Sequence, residues 1–198
     1  MLLSSYGTGK VEAGCDEAGR GCLAGPVVAA AVVFNESYHN ELLNDSKKLS
    51  QKQRCELRRI VQKDAMAWAV AFVDNVYIDK HNILNASIEA MHRAITKLMI
   101  KPELLLIDGN KFKAYDNVPH QCIVKGDSKY LSIAAASILA KTYRDDYMVK
   151  IGHSFPEYHW HKNKGYPTIA HISACHKWGL TPFHRKSFQI NRQTKINF

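Results

Sequence analysis

Four acidic side chains stand where acids are costly unless they are used. Asp16 and Glu17 close one apolar run, Asp108 follows Leu104-Leu105-Leu106-Ile107, and Asp127 sits just ahead of an alanine-rich stretch. Each position is the end of an element that a core can hold rigid. Carboxylates brought together repel one another. The grouping becomes favourable if it binds a hard divalent cation through oxygen. Taken singly, each acid is more simply a surface group at a strand end. Taken jointly, with glycines at 19 and 21 and a basic chain around them, they point to a metal site. Asp16 and Glu17 are chain neighbours, which a strand points to opposite faces. Both serve one site only if the strand breaks near Glu17, and Gly19 and Gly21 permit such a break.

The chain carries 27 Lys and Arg against 18 Asp and Glu, a net charge of +9. A surface of that sign attracts polyanions, nucleic acid above all. Acids within a basic protein then have a specific logic: the surface draws a phosphate backbone, and the carboxylates hold the cation that activates water. Two such ions ~4 Å apart stabilise both the attacking and the leaving oxygen. The reaction class is metal-dependent phosphodiester hydrolysis. Other classes fall away. There is no G-x-x-x-x-G-K-[ST] loop, no H-E-x-x-H and no C-x-x-C pair, which argues against a P-loop NTPase, a zinc protease and a structural zinc site. The five cysteines are far apart, as reduced cytosolic thiols would be. Met1 to Lys10 has no apolar signal core, and the apolar runs Ala24–Phe34 and Ile133–Ala140 are too short for a bilayer. A soluble, cytoplasmic, monomeric protein with no membrane partner is expected.

The elements that must position these acids can be read from period and punctuation. Val11–Asp16 and Val27–Phe34 are expected strands joined by the glycine-rich Gly19–Pro26. Ser50 with Gln53 forms a capping-box pattern that opens a helix to about Lys63. Ala65–Val73 is an expected strand with Trp68, Val70 and Phe72 on one face. Asn85–Leu98 has helical periodicity, Glu103–Asp108 is a buried strand ending in Asp-Gly, and Gln121–Val124 is a short strand. Ser132–Met148 and Thr168–Trp178 are helices, the second started by Pro167 and stopped by Gly179. This order predicts an α/β chain with a mixed sheet flanked by helices. It predicts one domain over 1–198, with about 168–198 as a small C-terminal helical extension and basic tail.

Six blocks, in order, resemble the ribonuclease HII family. They are Asp16-Glu17-Ala18-Gly19-Arg20-Gly21 with Ala24-Gly25-Pro26-Val27; Asp45-Ser46-Lys47-Lys48-Leu49; Ile107-Asp108-Gly109; Lys125-Gly126-Asp127 with Ser132–Lys141 and Arg144-Asp145; Lys164-Gly165-Tyr166-Pro167-Thr168; and His184-Arg185-Lys186-Ser187-Phe188. Only Thr142-Tyr143 differs slightly from the usual pattern, with no functional effect expected. The resemblance implies a ribonuclease H-like fold with a five-stranded mixed sheet. It implies Asp16, Glu17, Asp108 and Asp127 as catalytic carboxylates that bind Mn²⁺ or Mg²⁺. Gly19-Arg20-Gly21 would sense a ribose 2′-hydroxyl through its backbone, as glycine permits, and that hydroxyl is what distinguishes RNA from DNA. Tyr166 would bond the same hydroxyl and stack on the following deoxy sugar. Ser46, Lys47, Arg185 and Ser187 would touch backbone phosphates. The implied substrates are RNA/DNA hybrids and duplex DNA carrying a single ribonucleotide, cut on its 5′ side to leave 3′-OH and 5′-phosphate ends.

Blander roles attach to several residues. Ser132–Lys141 is expected to be mostly packing, Lys141 to be solvated, and Asp145 to be either a salt-bridge partner or a fifth acid. Gln193-Thr194-Lys195-Ile196-Asn197-Phe198 loosely resembles a sliding-clamp-binding peptide, against a frayed terminus. Two other functional classes share the basic charge. A non-catalytic nucleic-acid-binding module would leave the acids without a role, and a DNA-only nuclease would leave Gly19-Arg20-Gly21 and Tyr166 without one.

Overall fold

The computed structural model describes residues 2–7, 9–43 and 49–190. Five strands form one sheet: β1 (Glu12–Ala18), β2 (Val27–Val33), β3 (Ala67–Val73), β4 (Leu104–Asp108) and β5 (His120–Ile123). Their order is β3-β2-β1-β4-β5. β2 is antiparallel to both β1 and β3, whereas β1, β4 and β5 run parallel. The sheet is therefore mixed, as the element order predicts. One face carries α2 (Asn75–Thr96); the other carries α1 (Gln51–Asp64) and α3 (Leu131–Gly152). The short α4 (Trp160–Asn163) and α5 (Ile169–Trp178) follow. Among the described residues no helix is long and apolar enough to cross a membrane.

Small side chains let the layers approach. Ala29 and Ala31 of β2 pack with Ala86, Ala90 and Ala94 of α2, while Ala30 faces Ala135 and Ala136 of α3. At Gly14 of β1 the approach is close enough that a Cβ would overlap the main chain of Ser132 and Ile133. On β3 the two faces differ in side-chain size. Ala67, Ala69 and Ala71 are the buried residues beneath α2, while Trp68 and Val70 are half-buried and Phe72 is exposed. Close helix packing selects the small face, not the bulky one.

The α1 capping box is present in full, with Ser50 and Gln53 bonding each other's backbone. The helix expected from Asn85 proves to be the second half of α2. Asn82 adopts φ 64°, which breaks the helix, and its side chain caps a new start by accepting the N–H of Asn85 at 3.0 Å.

Candidate active site

Strand parity places the first acids. Cys15 of β1 pairs with Ile107 of β4, so Asp16 and Asp108, one residue further on, lie side by side on the face covered by α3. Gly126 N–H donates to Asp108 Oδ1 at 2.7 Å, which fixes the turn carrying the buried Asp127 beside the end of β4. Glu17 is reached differently from the sequence expectation. β1 does not break there but stays paired with β2 through Ala18, and the chain turns at Gly19, with φ +96°. Glu17 instead leans over the end of the sheet, its carboxylate held by Arg20 Nη1 at 3.0 Å.

Asp16, Glu17 and Asp108 border a recess of about 290 Å³ together with Gly19, Arg20, Gly21, Lys141 and Tyr166. Asp127, which is buried, does not border it. Glu17 and Asp108 also border a second recess of about 280 Å³, on the α2 side, with Gly109 and Lys111. A concavity of about 800 Å³ between Phe72, Tyr77, Lys80 and Tyr147 touches none of the four acids. Lys141 is ion-paired with Asp145 at 2.7 Å rather than freely solvated.

The electrostatics suit a cation. Burial, and after it the charges of Glu17 and Asp108, holds the Asp16 carboxyl well above the ordinary carboxylate range, despite hydrogen bonds from Ser137 and the Glu17 backbone. Burial also raises Glu17, opposed by Arg20. An oxygen-only donor set is the chemistry that suits a hard divalent ion such as Mg²⁺ or Mn²⁺, and Asp16, Glu17, Asp108 and Asp127 are the candidates to hold one, although their oxygens do not all lie within 4.8 Å of one another. A carboxyl raised in the folded state removes stability as pH rises from its unfolded value through its folded one. At pH 7 in chelator, Asp16→Asn is thus expected to melt about 2–4 °C higher than the parent, as ~1 kcal/mol produces in a chain of this size. Saturating Mn²⁺ should then raise the parent's melting temperature but not the variant's. A variant that melts lower in chelator would contradict the crowding account.

The glycine turn rests on two buried arginines. Arg185 donates to the carbonyls of Gly25 at 3.0 Å, Arg20 at 2.8 Å and Gly19 at 2.7 Å. Arg144 donates to those of Pro26 at 3.0 Å, Lys164 at 2.8 Å and Ala24 at 3.0 Å. This corrects the expectation for Arg185: its guanidinium is 1% exposed and occupied by main chain, so it builds the turn and cannot reach out to a phosphate. Arg144, named in the sequence only as part of a motif, has the same role. A run of backbone carbonyls brought together by a turn needs such forked donors, but nothing local in the sequence marks them. A Cβ at Gly19 would overlap the Arg144 side chain, which explains that glycine sterically as well as by its φ. Ser187 is exposed, and its hydroxyl donates to Asp79 Oδ1 at 2.6 Å. Ser46 and Lys47 lie outside the described residues, as does Gln193–Phe198. Burial, with Cys22 next to it, pushes the Tyr166 hydroxyl up to about 12, so it remains a donor at neutral pH.

The family model for ribonuclease HII matches residues 13–191. Ribonuclease HII of Parabacteroides distasonis is 60% identical over 190 residues, 96% of each chain. That of Bacteroides thetaiotaomicron is 56% identical over 200 residues and the full length of both. Among solved structures, ribonuclease H2 of Pyrococcus horikoshii superposes with TM-score 0.77 at 26% identity, covering 90% of this chain and 94% of that one. The RNase HII of Archaeoglobus fulgidus, solved in complex with PCNA, superposes with TM-score 0.78 at 26% identity, covering 95% and 100%. The sheet order and flanking helices are those of the ribonuclease H-like fold. On a match of this extent and identity, the chain belongs to the ribonuclease HII family.

Proposed function

We propose that this ribonuclease H-type hydrolase nicks duplex DNA on the 5′ side of a single embedded ribonucleotide and also cleaves the RNA strand of RNA/DNA hybrids. The observation that carries the reading is that one recess is bordered both by Asp16, Glu17 and Asp108 and by Gly19, Arg20, Gly21 and Tyr166. A ribose held by the second group would present its 5′ phosphate to the first. Bound by Asp16, Glu17, Asp108 and Asp127, Mg²⁺ or Mn²⁺ would neutralise that phosphate and lower the pKa of a water. The turn's main chain and the Tyr166 hydroxyl would test for the 2′-hydroxyl, which a deoxy sugar lacks. Rupture of the bond between phosphorus and the 3′ oxygen then leaves a 3′-OH and a 5′-phosphate. Ser46, Lys47 and Ser187 would position the backbone without reading sequence.

Matched duplexes that differ by one ribose test this. With Mn²⁺ or Mg²⁺ the ribo-substrate should be nicked at least about a thousandfold faster than the all-deoxy duplex, a discrimination expected of buried groups built for one hydroxyl. Equal cutting of both would leave a DNA nuclease, and tight binding with no turnover in any divalent metal would leave a binding module. The A. fulgidus complex with PCNA favours a sliding clamp as partner, and the likeness of Gln193–Phe198 to a clamp-binding peptide supplies the segment. Deleting 193–198 should abolish retention by an immobilised clamp while nicking of short duplexes continues; full retention would place clamp binding elsewhere.

A further inference from the structure

Behind the glycine turn, a line of imidazoles joins α4 and α5 to Tyr166. Its protons are fixed by partners that can only give or only take. Trp160 Nε1–H donates to Nε2 of His171 at 3.0 Å, so that nitrogen carries no proton. Nδ1 of His171 lies 2.9 Å from the Tyr166 carbonyl oxygen, so the proton is there. His184 is the reverse. Thr181 N–H donates to its Nδ1 at 2.9 Å. The remaining proton is therefore on Nε2, 3.1 Å from His171 Nε2 and 3.2 Å from Cys175 Sγ. Both rings are fully buried, and each ring nitrogen has its partner.

His171, Cys175 and His184 are also the residue types that hold a soft divalent ion, with ligand atoms within 4.8 Å of one another. The proton pattern opposes that use. Nε2 of His171 already accepts from Trp160, and Nε2 of His184 would have to give up its proton while Nδ1 keeps accepting from the Thr181 backbone.

We propose that His171 is a positioning residue for ribose recognition. Locked as the Nδ1–H tautomer by Trp160 and His184, it grips the Tyr166 carbonyl and sets where the Tyr166 side chain meets the sugar. The inference rests on the role given to Tyr166 above. The same carbonyl takes the N–H of Thr168 at 2.8 Å, which closes the turn ahead of α5. At its other end the Tyr166 side chain borders the same recess as Gly19, Arg20 and Gly21, the turn that leads into Cys22. His184 meanwhile bridges to Ala24 and is followed by Arg185, the donor to Gly19 and Arg20. Thus one buried line fixes both halves of the sugar-reading surface relative to each other.

Three measurements on the full chain decide it. Long-range ¹⁵N imidazole spectra should show His171 as Nδ1–H and His184 as Nε2–H, and the purified protein should hold no stoichiometric zinc. The opposite tautomer, or one zinc per chain, overturns the assignment. His171→Asn places an amide N–H near the lost Nδ1–H and should retain kcat/KM on the single-ribonucleotide duplex within about threefold. His171→Gln places its amide further out and should lose about tenfold or more, as small misplacement of a substrate-holding group does. Finally, adding His171→Gln to Tyr166→Ala should cost nothing further, because the first acts through the second; an unchanged tenfold loss in that background overturns the proposal. If Tyr166→Ala alone leaves nicking intact, Tyr166 does not read the sugar; that ends the functional assignment of His171 too, while the spectra still report whether the tautomers are right.

Discussion

Asp108→Asn is expected to lower the nicking rate of a single-ribonucleotide duplex by about a thousandfold or more, the scale of losing a group that acts only with its neighbours. The melting temperature in chelator should stay within about 2 °C of the parent's. The substitution is nearly isosteric. An asparagine oxygen can still accept the Gly126 N–H that Asp108 accepts at 2.7 Å, so the turn carrying Asp127 keeps its anchor. What is lost is one of the charges that, after burial, raise Asp16, and with it one of the oxygen donors proposed to hold a divalent ion. Single-turnover nicking and thermal melting on the same sample separate chemistry from folding. Activity within tenfold of the parent would remove Asp108 from the catalytic set.

Arg185→Gln is expected to act on stability first. Three carbonyls, those of Gly19, Arg20 and Gly25, would lose their donor. Buried unsatisfied groups cost about 1–3 kcal/mol each, so a loss of about 3 kcal/mol or more should follow, or ~6–12 °C in melting temperature. A phosphate contact would behave otherwise, with an unchanged melting temperature and a slope of log affinity against log salt shallower by about one. The second pattern would return Arg185 to the substrate interface. Lysine should rescue only in part, because one ammonium cannot reproduce a planar fork.

How far the sequence could be read depended on whether the deciding interaction was local. The capping box at Ser50 and Gln53 is local chemistry and is found where expected. The five-stranded mixed sheet was legible from element order and resemblance, and the pairing of Asp16 with Asp108 at strand ends follows from parity and register. The first half of α2 was not legible. Asn75 to His81 shows no sustained apolar period, and the break at Asn82 uses a left-handed asparagine rather than glycine or proline. Which face of β3 is buried was not legible, because its partner helix takes the small residues, a fact that resides in α2 and not in β3. Arg185 and Arg144 were hidden for a similar reason. Five of their six acceptors are backbone atoms more than a hundred residues away in sequence, so nothing near either arginine announces the contact.

Gly14 has a consequence for heat. Main chain touching main chain, at β1 against Ser132 and Ile133, sets the gap between Asp16 and the helix carrying Ser137 without any rotatable side chain in between. Warming populates alternative rotamers well before it separates packed backbones. Catalytic competence should therefore persist up to the cooperative transition and vanish with it, instead of fading beforehand as it would in a pocket whose width depended on flexible side chains.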